Sequence, residues 1–271
     1  MIPANFDYYR PDTIEEAITV YRQIRDTGLK PFYYGGGTEI ITMARMGSIA
    51  PDAVIDIKGI PECREHGLSD GRLVFGAGVT LAEIAEADLF PLLSLSVSRI
   101  ADHTVQGKIT LGGNICGTIV YRESMLPLLL ADAELTVARP DGLIRLPFVE
   151  ALNNGKRLPE GELLVKITLA ADFAKEKHWH IKKVKSEKIG YPLLTVAALS
   201  RGGVVRMAFT GVCGFPVRTV RMEAAFSPGK SEEIARAYIG SLPSPIAEDL
   251  EGSAAYREWV LQRTIAGILD S

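Results

Sequence analysis

Tyr34-Gly35-Gly36-Gly37-Thr38-Glu39-Ile40 is the stretch on which this chain's reading turns, because a second glycine run, Thr110-Leu111-Gly112-Gly113-Asn114-Ile115, answers it far downstream. The first run follows a short aromatic strand pattern, Pro31 to Tyr34, and opens an apolar-periodic stretch from Thr38 to Met46. Without side chains the backbone can approach an oxyanion closely, and successive N–H groups in such a turn form an anion-binding concavity. A helix starting at Thr38 adds the positive end of its dipole. In the second run, Thr110 and Asn114 can hydrogen-bond phosphate or ribose oxygens, although both residue types also cap ordinary turns. Two such runs suggest a diphosphate held from both sides, and so a dinucleotide.

Two familiar phosphate motifs compete with this reading. No lysine follows Gly37, so the G-x-x-x-x-G-K-[ST] pattern of nucleotide hydrolases is absent. A Rossmann reading takes Gly35 and Gly37 as its first glycines and Asp56 as its ribose acid. Its third glycine would have to be Ile40, whose bulk opposes close helix–strand packing. An NAD-dependent dehydrogenase therefore stands as the alternative.

The same residues, with Val54-Ile-Asp-Ile-Lys-Gly-Ile-Pro-Glu62, Gly76-Ala-Gly-Val-Thr-Leu-Ala-Glu-Ile84 and Leu126-Pro-Leu-Leu-Leu-Ala-Asp-Ala-Glu-Leu135, resemble the FAD-binding (medium) subunit of molybdenum hydroxylases. That family includes the flavoprotein parts of xanthine dehydrogenase and carbon monoxide dehydrogenase. Ser253-Ala-Ala-Tyr-Arg257 resembles its carboxy-terminal helix, so the resemblance runs through nearly the whole chain. It implies an α+β protein: a two-subdomain FAD-binding fold of the vanillyl-alcohol-oxidase/PCMH type, plus a C-terminal antiparallel sheet with helices. The expected units are residues 1–58 and 59–172 for the FAD-binding subdomains and 173–271 for the C-terminal flavoprotein domain.

The resemblance also assigns roles. The backbone of Gly35, Gly36, Gly37 and Thr38, beside Tyr34, would cradle one side of the FAD diphosphate. Thr110, Leu111, Gly113 and Asn114 would supply the other. Glu39 and Ile40 would lie against the cofactor, Leu163 near the flavin ring, and Lys183 close by. Three departures stand out. Val105-Gln106-Gly107 replaces an expected Ile-Arg-Asn, removing a positive charge that Lys108 partly restores. Glu123 would reach the adenosine ribose where the family has Asp. Ser186-Glu-Lys-Ile-Gly-Tyr191 stands where the family has Arg-x-x-Gly-Asp, without the acid after the glycine. These departures keep a third reading open, a scaffold subunit without cofactor.

Composition fits a flavoprotein subunit. The 271 residues are 47% hydrophobic and 23% charged, with a formal net charge of −3. That balance describes a globular protein and gives no basic surface for nucleic acid. Asn5, Asp7, Arg10 and Asp12 interrupt any leading apolar run, which predicts a cytoplasmic protein with no membrane span. Cys63, Cys116 and Cys213 are too scattered to hold an iron–sulfur cluster. The [2Fe-2S] small subunit and the molybdopterin large subunit are thus expected on separate chains, with NAD or another acceptor receiving the electrons. Cys116 reads as a small buried residue.

The remaining patterns are local. A helix is expected over 12–27, strands near 31–34 and 53–57, and a hairpin from Gly67 to Gly78 turning at Asp70-Gly71. Thr80 and Glu83 spell a capping box, and a further helix is expected from Pro91 to Ala101. Strands are expected near 133–138, 143–146 and 163–169, then at 177–185, 194–200 and 204–212. Helices follow at 218–225, 232–239 and 254–269. His178 and His180 share a strand face that reads as exposed rather than metal-binding, and His103 reads as solvent-facing. Lys182, Lys183, Lys185 and Lys188 read as a solvated or docking face.

Overall fold

The computed structural model describes residues 2–3, 5–184, 191–225 and 230–271. Lys185, Lys188 and most of the Ser186–Tyr191 stretch lie outside the described residues.

The first unit is a small parallel sheet. Strand β1 (Asp7–Tyr9) leads to helix α1 (Ile14–Asp26), capped by Thr13, whose hydroxyl accepts from the Glu16 amide at 3.1 Å. Ile14, Ala17, Ile18, Tyr21 and Ile24 form its buried stripe, as a 3.6-residue period requires. Strand β2 (Pro31–Tyr34), helix α2 (Thr38–Arg45) and strand β3 (Ala53–Asp56) complete a sheet of order β1-β3-β2 with parallel pairings. β1, too short and exposed to announce itself, is an addition to the expected unit.

The second unit is an antiparallel sheet with helices on its flank. Strands β4 (His66–Ser69) and β5 (Arg72–Gly76) form the expected hairpin, with Asp70 and Gly71 both at positive φ. Helix α3 (Leu81–Ala87) carries the complete Thr80/Glu83 capping box. Helix α4 (Pro91–Val97) is shorter than expected, and the chain continues through α5 (His103–Gln106), α6 (Leu111–Cys116) and α7 (Met125–Leu130). Strands β6 (Glu134–Arg139) and β7 (Gly142–Pro147), helix α8 (Phe148–Leu152) and strand β8 (Leu163–Ala170) give the order β4-β5-β8-β6-β7. β8 enters between β5 and β6, so the sheet closes only when residue 170 is in place.

The third unit has four strands in the order β12-β11-β10-β9: β9 (His178–Lys183), β10 (Leu194–Arg201), β11 (Val204–Thr210) and the two-residue β12 (Val217–Arg218). Helices α9 (Ser231–Gly240) and α10 (Ala254–Leu269) pack on it. The stretch after β12 is a 3-10 helix, Val220–Ala225, rather than an α-helix. One hydrophobic core runs through the first two units and takes in Ala197, Leu199 and Ala208 of the third sheet; a second fills the space between that sheet and its helices. Buried Arg257 of α10 donates to the Leu193 carbonyl and, at 2.6 Å, to that of Gly211, and it pairs with Asp249.

Candidate functional site

The first glycine run forms the link between β2 and α2. Gly37 adopts φ 72°, a left-handed conformation that favours glycine, and a methyl group there would overlap the Tyr34 ring. Beyond it, α2 starts with no side-chain cap. Among the described residues, the backbone N–H groups of Gly36, Gly37, Thr38, Glu39 and Ile40 meet no protein acceptor. Helix starts leave such amides open by construction, but here the turn extends the set and no hydroxyl or carboxylate closes it. That is a cradle for an oxyanion. It fits a phosphate group.

Lys58 fixes the mouth of this cradle, a role the sequence reading missed. Its Nζ donates to the Gly35 carbonyl at 2.6 Å and to Asp56 Oδ1 at 2.7 Å, and it lies 4.9 Å from the Tyr34 ring centre. Asp56 also accepts from the Tyr8 hydroxyl at 2.6 Å and from the Lys58 amide at 2.9 Å. Burial alone would raise its pKa; the Lys58 and Tyr8 bonds outweigh that and hold the carboxyl below its usual range. Burial, then the Asp56 charge, pushes the Tyr34 phenol up. The Rossmann reading of Asp56 is therefore corrected: the carboxyl is buried, with Tyr8 on one oxygen and Lys58 on the other, and braces the turn rather than facing a ribose.

The second glycine run is built differently. Thr110 caps α6, its hydroxyl accepting from the Gly113 amide at 3.2 Å. The Leu111 amide donates to Val79, that of Gly112 to Ala77, and that of Asn114 to Thr110. The amides of this run are occupied within the protein, contrary to the expectation of a second open nest. What it gives the first run is contact. A methyl group on Gly35 would overlap the Thr110 hydroxyl, and one on Gly36 the Lys108 carbonyl. Thr80 bridges to Thr110, so the α3 capping box supports the same turn. Leu111 is wholly buried, Gly113 exposed and Asn114 half-buried, with its Oδ1 accepting from Ser124 at 2.6 Å.

Other expected site residues divide. Glu39 and Ile40 sit in the first turn of α2, half-buried, and Glu39 Oε1 accepts from the Thr118 amide at 2.7 Å and from its hydroxyl. Thus the carboxylate ties the start of α2 to the loop after α6. Leu163 opens β8 as a buried core residue opposite Ala138. Glu123 is not at the turns' open side. Its oxygens accept from Lys182 Nζ at 3.0 Å and Thr195 Oγ1 at 2.8 Å, both on the third sheet. Burial pushes its pKa up, with Lys182 and Thr195 opposing. A carboxylate so buried, and turned to the third sheet, does not face a ribose, which corrects that expectation.

The Lys182 side chain is likewise mostly covered, 9% exposed, rather than part of a solvated face. Lys183 is exposed at the end of β9, beside a cleft of about 750 Å³ against α10 that no glycine-run residue lines. His180 is buried, against the expected exposed strand, and its Nδ1 lies 3.0 Å from Arg99. Burial, with Arg99 and Lys182 adding to it, lowers its pKa to about 3. His103 is solvent-facing as expected, and Cys116 is exposed rather than buried. Among the described residues, no group of three or more His, Cys, Asp or Glu is placed to hold a metal ion.

Residues 4–170 match the family model described as FAD binding domain in molybdopterin dehydrogenase. The carbon monoxide dehydrogenase medium chain of Hydrogenophaga pseudoflava is 27% identical over 274 residues, covering 95% of this chain and 93% of that one. The glyceraldehyde dehydrogenase medium chain of Sulfolobus acidocaldarius is 24% identical, covering 97% and 96%. Among solved structures, carbon monoxide dehydrogenase from H. pseudoflava lacking the Mo-pyranopterin moiety superposes with a TM-score of 0.88 at 25% identity, over 98% of this chain and 96% of that one. Quinoline 2-oxidoreductase from Pseudomonas putida shares the fold, with a TM-score of 0.85 at 19% identity, over 99% and 96%.

Proposed function

We propose, from the premise that this chain belongs to the family of FAD-binding domains of molybdopterin dehydrogenases, that it is the electron-transfer subunit of a molybdenum hydroxylase complex. Its cofactor is FAD, and its class is oxidoreductase. The observation that carries the site assignment is the run of five amides, Gly36 to Ile40, without protein acceptors at a left-handed glycine.

In this reading the Gly35–Ile40 backbone holds the FAD diphosphate and Lys58 keeps the Gly35 carbonyl turned away from it. Thr110 and the Lys108 carbonyl press the turn into shape from behind, while Asn114 offers its side-chain amide. Leu163 belongs to an apolar wall near the ring, which limits solvent access and helps set the reduction potential. Flavin suits such a station because it accepts electrons singly and releases them in pairs. No side chain of this chain need act as a general acid or base.

The partners we propose are a [2Fe-2S] small subunit and a molybdopterin large subunit, with NAD or another compound as final acceptor. Medium chains of carbon monoxide and glyceraldehyde dehydrogenases, proteins similar along their length, support this division of labour. A xanthine-dehydrogenase-like activity is one member of the proposed class. The domain boundaries 1–58, 59–172 and 173–271 are part of the same proposal. So is a cytoplasmic location, which suits three unpaired cysteines; no helix of the described residues is long and apolar enough to cross a membrane.

The test is a visible absorption spectrum of the purified chain, followed by identification of released cofactor. Oxidised-flavin bands and free FAD are expected. A colourless protein that takes up no added FAD would favour a scaffold without cofactor.

A further inference from the structure

Arg122 lies in the loop that follows the second glycine run, and only 2% of it is exposed. Its backbone holds φ 35°, a left-handed conformation that side-chain-bearing residues seldom adopt. For a buried guanidinium it is poorly served. Its one recorded hydrogen bond is a long one, 3.4 Å from Nη1 to the Ile115 carbonyl, and its Nε has no partner. Among the described residues no carboxylate lies within ion-pair distance. Glu39 acts on it only at longer range and is itself held by Thr118. Arg157, bonded to the Gly117 carbonyl at 3.1 Å, adds a second positive charge nearby.

A buried charge without a counter-ion costs several kcal/mol and is seldom left so. The same pair of turns carries the opposite shortage, five amides that lack an acceptor. One anion would answer both. Glu39 joins the two places: it sits in the first turn of α2, and the loop residues Gly117 and Thr118 pack on its carboxylate. The geometry points to Arg122 as the cationic contact of the FAD diphosphate. This deepens, and rests on, the FAD reading above. Gln106 itself cannot serve: its side-chain amide is taken up by the carbonyls of Ser98, Ile100 and Ala101.

The test compares the flavin-free full chain with its Arg122→Met and Arg122→Lys variants, titrated with FAD, ADP and riboflavin. Charge-assisted hydrogen bonds contribute about 1.5–3 kcal/mol, so Arg122→Met should weaken FAD and ADP roughly 10- to 150-fold. Riboflavin, which has no phosphate, should bind as before, and Arg122→Lys should recover part of the loss. Flavin-free Arg122→Met should melt no lower than the parent, since it removes an unpaired charge. Equal FAD and ADP affinity in parent and Arg122→Met would overturn the inference and leave the FAD reading standing. So would a variant that melts lower or fails to fold, because Arg122 would then be a structural brace. If the parent binds neither FAD nor ADP, the FAD reading falls first and the inference with it.

Discussion

The two glycine runs look alike in sequence and do opposite things with their backbones. Gly35–Ile40 leaves amides open around a left-handed residue; Thr110–Asn114 closes its own through Thr110, Val79 and Ala77. In the proposed site the first run receives the charge of the diphosphate, and the second is the wall that shapes it. Glycine is required in the first for closeness to the second as much as for closeness to a ligand. A glycine-rich signature thus records tight backbone approach, and only the fate of its amides says what approaches.

The two runs should part most widely in Gly36→Ala set against Gly113→Ala. A methyl at Gly36 meets the Lys108 carbonyl, which is backbone and cannot swing aside; one at Gly113 stands 3.0 Å from the Thr110 hydroxyl. Gly36→Ala should cost about 1–3 kcal/mol by overpacking and weaken FAD binding at least roughly tenfold. Gly113→Ala should cost well under half as much in thermal and denaturant unfolding. Equal penalties would erase the distinction between receptor and wall. Next in size, Lys58→Met should destabilise by about 1–2 kcal/mol, because it strips a nearly buried Asp56 of its cation. Urea titration would show this, and flavin affinity should fall as the Gly35 carbonyl is freed.

Thr110→Val keeps the shape of the wall but removes its cap, for an expected loss of about 1 kcal/mol by calorimetry. The smallest effect concerns acid. Arg64 and the Thr80 amide and hydroxyl, acting against burial, bring Glu83 down to about 2. A lowered carboxylate pKa means the contribution is complete above about 4.5, the unfolded value, and is lost as pH falls toward 2. With solvent screening it amounts to about 1 kcal/mol or less. Glu83→Gln should therefore flatten the fall in melting temperature between those limits. A parallel shift at every pH would put the effect elsewhere.

What was legible in the sequence depended on how local its cause was. Helix α10 begins and ends where its Ser253 cap and periodicity place it, and the Asp70-Gly71 hairpin follows from two adjacent residues. Helix α6 was hidden because two glycines in six residues read as a loop, although Thr110 supplied the cap signal. Glu123 and Lys182 were misjudged for a different reason. Their burial comes from pairing across 59 residues of chain, between a loop and a sheet edge, and no short pattern encodes that. Lys58 was more accessible: an Asp-x-Lys step at a strand end allows the carboxylate to meet both the amide and the ammonium two residues on. The unserved guanidinium of Arg122 was out of reach, since a lone arginine in a loop normally faces water.

The interlock between Gly36 and Lys108 also sets an order in time. As the chain leaves the ribosome, the parallel sheet can be complete once Asp56 has emerged, yet its glycine turn still lacks the surface that holds it. That surface arrives some fifty residues later, and β8, which joins β5 to β6 in one sheet, later still. The finished shape of the turn is therefore a late property of synthesis. Any product cut short before β8 carries the whole glycine signature without the strand that joins β5 to β6 behind it.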